Sequence, residues 1–257
     1  SLMLVMGQTD GVEEKLQATE ASIAATTLPG FDQDDSTRNL IGKIAVARSM
    51  LALTHGDTEN MFVQAHHALE NLHPNNLSYR SSATRTLGFA YYFKGDWAAA
   101  YQAYADALSL AQGAGDITNC LLASIRLGQM QELRNQFRLA AETFQGVLQY
   151  IGEYSPPNSP VAYNGLAWIY YEWNDLDASE HYGELGLQMA QRYDQVIDRV
   201  ILNALLLGYI RLAKGDIPGA ENYLLLAEES VRLKKHDLRL ADIAGMRVSI
   251  ALCLGKT

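Results

Sequence analysis

Along this chain apolar residues return at spacings of three and four, the period of a helix with one buried face, and the pattern stops and restarts at short turn signals. The signals are Gly56-Asp57, Gly95-Asp96, Asn135-Gln136, Asn174-Asp175, Gly215-Asp216 and Gly255-Lys256, at intervals of 39, 40, 39, 41 and 40 residues. In four of them Gly or Asn precedes Asp, which predicts a left-handed residue ending one helix and a carboxylate capping the next. A repeat of this length is the mark of stacked helical hairpins, each able to hide its apolar face only against its neighbours.

The second unit spells the pattern out: Leu87-Gly88 and Tyr91 precede Gly95, and Ala100, Tyr104 and Ala107-Leu108 follow it. Gly88 has no Cβ, so a neighbouring helix can come close there; Ala100 lets its partner cross tightly, and Tyr91 and Tyr104 fill the space between. This set resembles the tetratricopeptide repeat. It echoes at Leu127-Gly128, Ala140, Phe144 and Leu148, and at Leu207-Gly208, Gly215, Ala220, Leu224 and Ala227. The fourth unit keeps Leu166-Ala167 and Tyr170 with small residues Ser179, Gly183 and Gly186; the first keeps Gly56, Ala65 and Ala68-Leu69. The resemblance implies an all-α fold, a right-handed α-α superhelix of hairpins about 40 residues long, forming one domain over residues 1–257. Full repeats are expected at about 38–75, 77–114, 116–153, 159–194 and 197–235, with a half repeat at 11–27 and a terminal helix at 237–254. The unpaired helices at both ends suggest a segment of a longer protein, with Ile243, Ile250 and Leu254 as the apolar stripe of the last one. Proline-bearing connections at 27–39 and 153–160 are expected to bend the array without dividing it.

A more specific likeness lies in Tyr170-Tyr171-Glu172-Trp173-Asn174-Asp175-Leu176-Asp177-Ala178, followed by Arg211-Leu212-Ala213-Lys214-Gly215-Asp216. These stretches resemble the helical repeat region of MalT-type transcriptional regulators, the large ATP-binding LuxR relatives. The resemblance implies an effector-sensing segment between a nucleotide-binding module and a LuxR-type helix-turn-helix. On this reading ATP belongs to a separate domain, and this segment needs no cofactor of its own. Its expected partners are a small-molecule or short-peptide effector and the other domains of the same protein.

The net charge of -9 and pI near 5.1 repel phosphate backbones, which argues against direct nucleic-acid contact by this segment. The longest apolar stretch, 200–213, contains Asn203 and Arg211 and is too short to span a membrane. Cys120 and Cys253 lack CxxC spacing and read as free thiols, suited to a reducing cytoplasm. Gly255-Lys256-Thr257 lacks the earlier glycine and the preceding strand of a phosphate loop. His66 and His67 diverge by about 100° on a helix and cannot share a metal. No catalytic motif emerges, so a binding role is expected.

In such stacks the first helix of each hairpin lines a concave groove. Its lining is expected at Val46 and Met50, Arg85 and Phe89, Ile125 and Gln129, Asn164 and Trp168, and Leu205 and Tyr209, with Tyr92, Glu132, Glu172 and Leu212 one turn on. The ligand-binding candidates are Arg85, Phe89, Tyr92, Arg126, Gln129, Glu132, Asn164, Trp168, Glu172 and Tyr209. Aromatic and hydrogen-bonding groups together suit a small polar ligand or a short peptide. The competing reading of the aromatics is core packing, to which Tyr91, Tyr104 and Tyr170 are assigned. Arg85 and Arg126 could hold a carboxylate or phosphate by paired hydrogen bonds; the competing reading is a salt bridge to Glu132 or Glu172. A peptide-binding adaptor or a peptide-pheromone receptor remains the alternative function. The basic clamp of carboxylate-gripping co-chaperones is missing, since the corresponding places hold Val46, Met50, Phe89, Ile125, Trp168 and Leu205.

Overall fold

In the computed structural model, which describes residues 11–26, 35–152, 159–192, 197–234 and 239–255, those residues form twelve helices and no strand. The helices are α1 (Val12–Thr26), α2 (Asp35–His55), α3 (Thr58–Asn71), α4 (Leu77–Phe93), α5 (Trp97–Ala114), α6 (Ile117–Leu133), α7 (Phe137–Ile151), α8 (Ser159–Glu172), α9 (Leu176–Arg192), α10 (Ile197–Ala213), α11 (Ile217–Lys234) and α12 (Leu240–Cys253). Most of the two proline-bearing connections lies outside the described residues.

The turn chemistry explains where each first helix stops. All six turn residues take the left-handed conformation: Gly56, Gly95, Gly215 and Gly255 at φ 70°, 79°, 77° and 67°, and Asn135 and Asn174 at φ 57° and 58°. The following amide reaches back five residues to close the helix, as from Asp96 N–H to the Tyr91 carbonyl at 3.0 Å and from Asp175 N–H to the Tyr170 carbonyl at 2.9 Å. The same aspartate then starts the next helix. The side chains of Asp57, Asp96, Asp175 and Asp216 accept from the backbone N–H of Asn60, Ala99, Ala178 and Gly219. Gln136 makes no such bond. Gly115-Asp116 repeats the device between hairpins, with φ 63° at Gly115 and a bond from Asn119 N–H to Asp116.

The chain divides into two compact units, Ser1–Met130 and Gln131–Thr257. In the first, α2 pairs with α3 and α4 with α5, and the first helices α2 and α4 also touch one another. A Cβ on Gly88 would lie 2.5 Å from Tyr104 Cε1, so the ring of Tyr104, 2% exposed, occupies the room that the glycine leaves. Tyr91 packs edge-on against Phe62 at 5.5 Å. Arg48 holds α1 to α2 through Glu13 and Glu20.

In the second unit α8 pairs with α9 and α10 with α11, and the first helices α8, α10 and α12 make contact in succession. Here Gly165 admits the ring of Phe144, and Gly208 admits Met246. Ile243, Met246 and Ile250 bury α12 against α10 and α11, whereas Leu254, expected on that stripe, is 42% exposed.

Gly88→Ala is expected to cost about 1–3 kcal/mol through overpacking against Tyr104, and Asp96→Ala about 1 kcal/mol through loss of a cap. Urea denaturation measures both; an unchanged midpoint for Gly88→Ala would disprove the tight crossing.

Candidate functional site

Within the first unit, Arg85, Phe89 and Tyr92 stand on successive turns of α4, and Arg126 and Gln129 on α6. Packing treats them unequally. Arg85 is only 6% exposed, and its Nε has no hydrogen-bond partner. Burial, reinforced by the neighbouring Arg126, pushes its guanidinium down to about 10. Arg126 is also lowered by burial; it donates to Gln129 Oε1 at 2.7 Å and lies 4.5 Å over the ring of Phe89. Phe89 in turn meets Tyr104 edge-on at 5.8 Å, while Tyr92 is 39% exposed. The salt bridges weighed for the two arginines do not form: among the described residues neither guanidinium makes an ion pair.

Val46, Ile125 and Leu205, expected to line the groove, instead belong to the core at 3%, 3% and 5% exposure. They lie on first helices as the groove register expects, but Val46 shares a core with Ala68 of α3, the adjoining Leu72 and Ala83 of α4, and Leu205 with Ala220 and Leu224 of α11 and Ile243 of α12.

In the second unit, Asn164 is half-buried on α8, and one turn on Trp168 is 40% exposed. Its indole stacks on Tyr171 with ring centres 5.7 Å apart and planes at 26°. Burial raises the Tyr171 phenol, and the charges of Glu172 and Tyr209 add to that, so these groups share one neighbourhood. Tyr209 itself is half-buried against the α10–α12 core. Sequence reasoning missed Tyr171, although it lies one turn beyond Trp168 on the same helix and directly before Glu172. Tyr170, assigned to packing, stacks on Tyr182 at 5.4 Å with planes only 6° apart.

Glu132, on the last turn of α6, is half-buried, and burial alone raises its carboxyl to about 8. Among the described residues no group of three or more His, Cys, Asp or Glu could hold a metal ion, and no helix is long and apolar enough to cross a membrane.

Paired antiparallel helices, left-handed turn residues and glycines facing aromatic rings define a helical repeat protein of the tetratricopeptide type. The chain belongs to the MalT-like TPR region family, whose model matches residues 42–257. No curated protein matches it. Among solved structures, BtubC (BKLC) from P. vanneervenii superposes with a TM-score of 0.66 at 17% identity, covering 88% of this chain and 93% of that one. The apo form of RapI gives 0.61 at 9% identity, over 87% of this chain and 60% of RapI. Pseudomonas aeruginosa pilF gives 0.59 at 14% identity, over 86% and 95%. Identities this low establish a shared fold and nothing further.

Between its ordinary 4.5 and the raised value of about 8, Glu132 stays protonated in the folded protein and ionises in the unfolded chain. The folded state holds the extra proton in that window, so this group's contribution to stability falls as pH rises through it. Glu132→Gln is expected to remove that loss, giving a protein more stable than the parent above about pH 8 and unaltered in this respect near pH 4. Paired denaturation curves check this; an equal difference at both pH values would place the carboxyl in water.

Proposed function

We propose that this segment is the ligand- and protein-binding sensor of a MalT-type regulator of the LuxR family. An effector, a small molecule or a short peptide, is held by side chains of the first helices. Its binding is signalled to a nucleotide-binding module and a DNA-binding module encoded outside this segment. ATP is the cofactor of that separate module, and the setting is the cytoplasm. The net charge of -9 supports a role without direct nucleic-acid contact.

Membership of the MalT-like TPR region family supports the class of regulator. The observation that carries the binding role is Trp168: on a helix where Gly165, Leu166, Ala167 and Ile169 are buried, it leaves an indole 40% exposed and already stacked on Tyr171. A large aromatic face held rigid at the surface, with Glu172 and Tyr209 beside it, suits a ligand that combines a flat or apolar face with hydroxyl or amide groups.

With Trp97 and Trp173 replaced by Phe, Trp168 becomes the sole indole reporter. A panel of small polar metabolites and short peptides is expected to include one compound that quenches it saturably. In the full regulator the same compound should change ATP affinity by about 5- to 150-fold, and ATP should change the compound's affinity equally. No saturable quenching by any compound, or quenching without reciprocal change in ATP affinity, would defeat the sensor reading.

A further inference from the structure

Among the described residues, two arginines of the first unit form no ion pair. Arg85 is more than nine-tenths buried, and its Nε, fully shielded from water, lacks an acceptor. Arg126 is close enough to oppose its charge, and both guanidiniums act on the hydroxyl of buried Tyr104. Among the described residues, the carboxylate that acts on Arg85 is Asp116. Its oxygens are already engaged by the Asn119 backbone N–H at 3.0 Å and by Asn119 Nδ2 at 2.8 Å. Two positive charges against one negative leave a single positive charge unbalanced.

A buried guanidinium without a partner is costly, and a protein ordinarily answers it with a carboxylate of its own. Here the surroundings are of another kind. Phe89 lies under Arg126 and meets Tyr104 edge-on, and Tyr92 stands exposed one turn along α4. Gln129 holds Arg126 by its Nη1, which fixes that guanidinium over the ring. The arrangement is two like charges beside an aromatic wall, one of them with a buried N–H that lacks an acceptor.

We propose that Arg85 and Arg126 seat the carboxylate of a small organic acid, whose apolar body lies against Phe89 and Tyr92. A monoanion balances the single unanswered charge, and a planar carboxylate can accept from the terminal N–H groups of Arg85 and Arg126, lowering the cost of the shielded charge behind them. A doubly charged phosphate would overshoot that balance. The proposal rests on reading the first helices as the ligand-facing layer, and it concerns the first unit alone.

The test uses the whole chain labelled with ¹⁵N and follows the Nε–Hε signals of Arg85 and Arg126 at constant ionic strength, assigned with Arg85→Met and Arg126→Gln. The probes are 3-phenylpropionate, its neutral amide, N-acetyl-alanyl-alanine and inorganic phosphate. The acid is expected to shift both signals saturably and the amide neither. Equal responses to acid and amide, or no response to any probe, would overturn the site. Saturation first by phosphate would overturn the carboxylate assignment, and saturation first by N-acetyl-alanyl-alanine would replace the small acid by a peptide end. Arg126→Gln should weaken acid binding at least tenfold. Arg85→Met should abolish it while raising the melting temperature, because an unpaired buried charge is removed; a lower melting temperature would mark Arg85 as a structural residue and overturn the proposal. The Trp168 response belongs to the second unit, so failure here leaves the sensor reading to its own measurement.

Discussion

Each hairpin depends on one backbone requirement: the residue that closes its first helix must take φ > 0. Gly meets it at four of the turns and Asn at two, with φ between 57° and 79°. That conformation turns the chain back on itself and lets the next amide close the helix, while the aspartate that usually follows begins the second helix without an intervening loop. Two helices joined so tightly must touch along their length. The contact is possible because a small residue occupies the crossing point, as at Gly88 under Tyr104, and the same device lets one hairpin approach the next, as at Gly165 under Phe144.

Close pairing has a second effect, on charge. First helices touch the first helices of neighbouring hairpins within each unit, so side chains on that flank are drawn out of water. For Val46 and Leu205 this is favourable burial; for Arg85 the same displacement removes the solvation of a guanidinium. At Glu132, on the last turn of α6, burial holds the proton on. Stability and ligand chemistry are thus set by one variable, the depth at which a position on the first helix comes to lie.

The aromatic residues divide along the same line. Tyr104 and Phe144 fill hollows opposite glycines and are closed to ligand. Trp168 and Tyr92, on the other flank of their helices, keep about two-fifths of their surface in water. Trp168 gains rigidity from Tyr171 without losing its outer face.

Much of this was written locally. The turn residues, their aspartates and the small residues opposite aromatics follow from backbone sterics and helical spacing, which act within a few positions of the chain; Gly95-Asp96 and Gly88 with Tyr104 are legible from the sequence for that reason. The MalT-like character was legible in the run Glu172 to Leu176 and its surroundings. Depth was not. Helical phase assigns Val46, Arg85, Ile125, Leu205 and Trp168 to first helices, but whether each is covered depends on how closely the neighbouring helix approaches, and that is set by residues one repeat away. The tertiary structure alone decided that Val46, Ile125 and Leu205 are core, that Arg85 is buried with an unsatisfied Nε, and that Trp168 remains open on Tyr171, because burial is a property of packed neighbours rather than of any one segment's pattern.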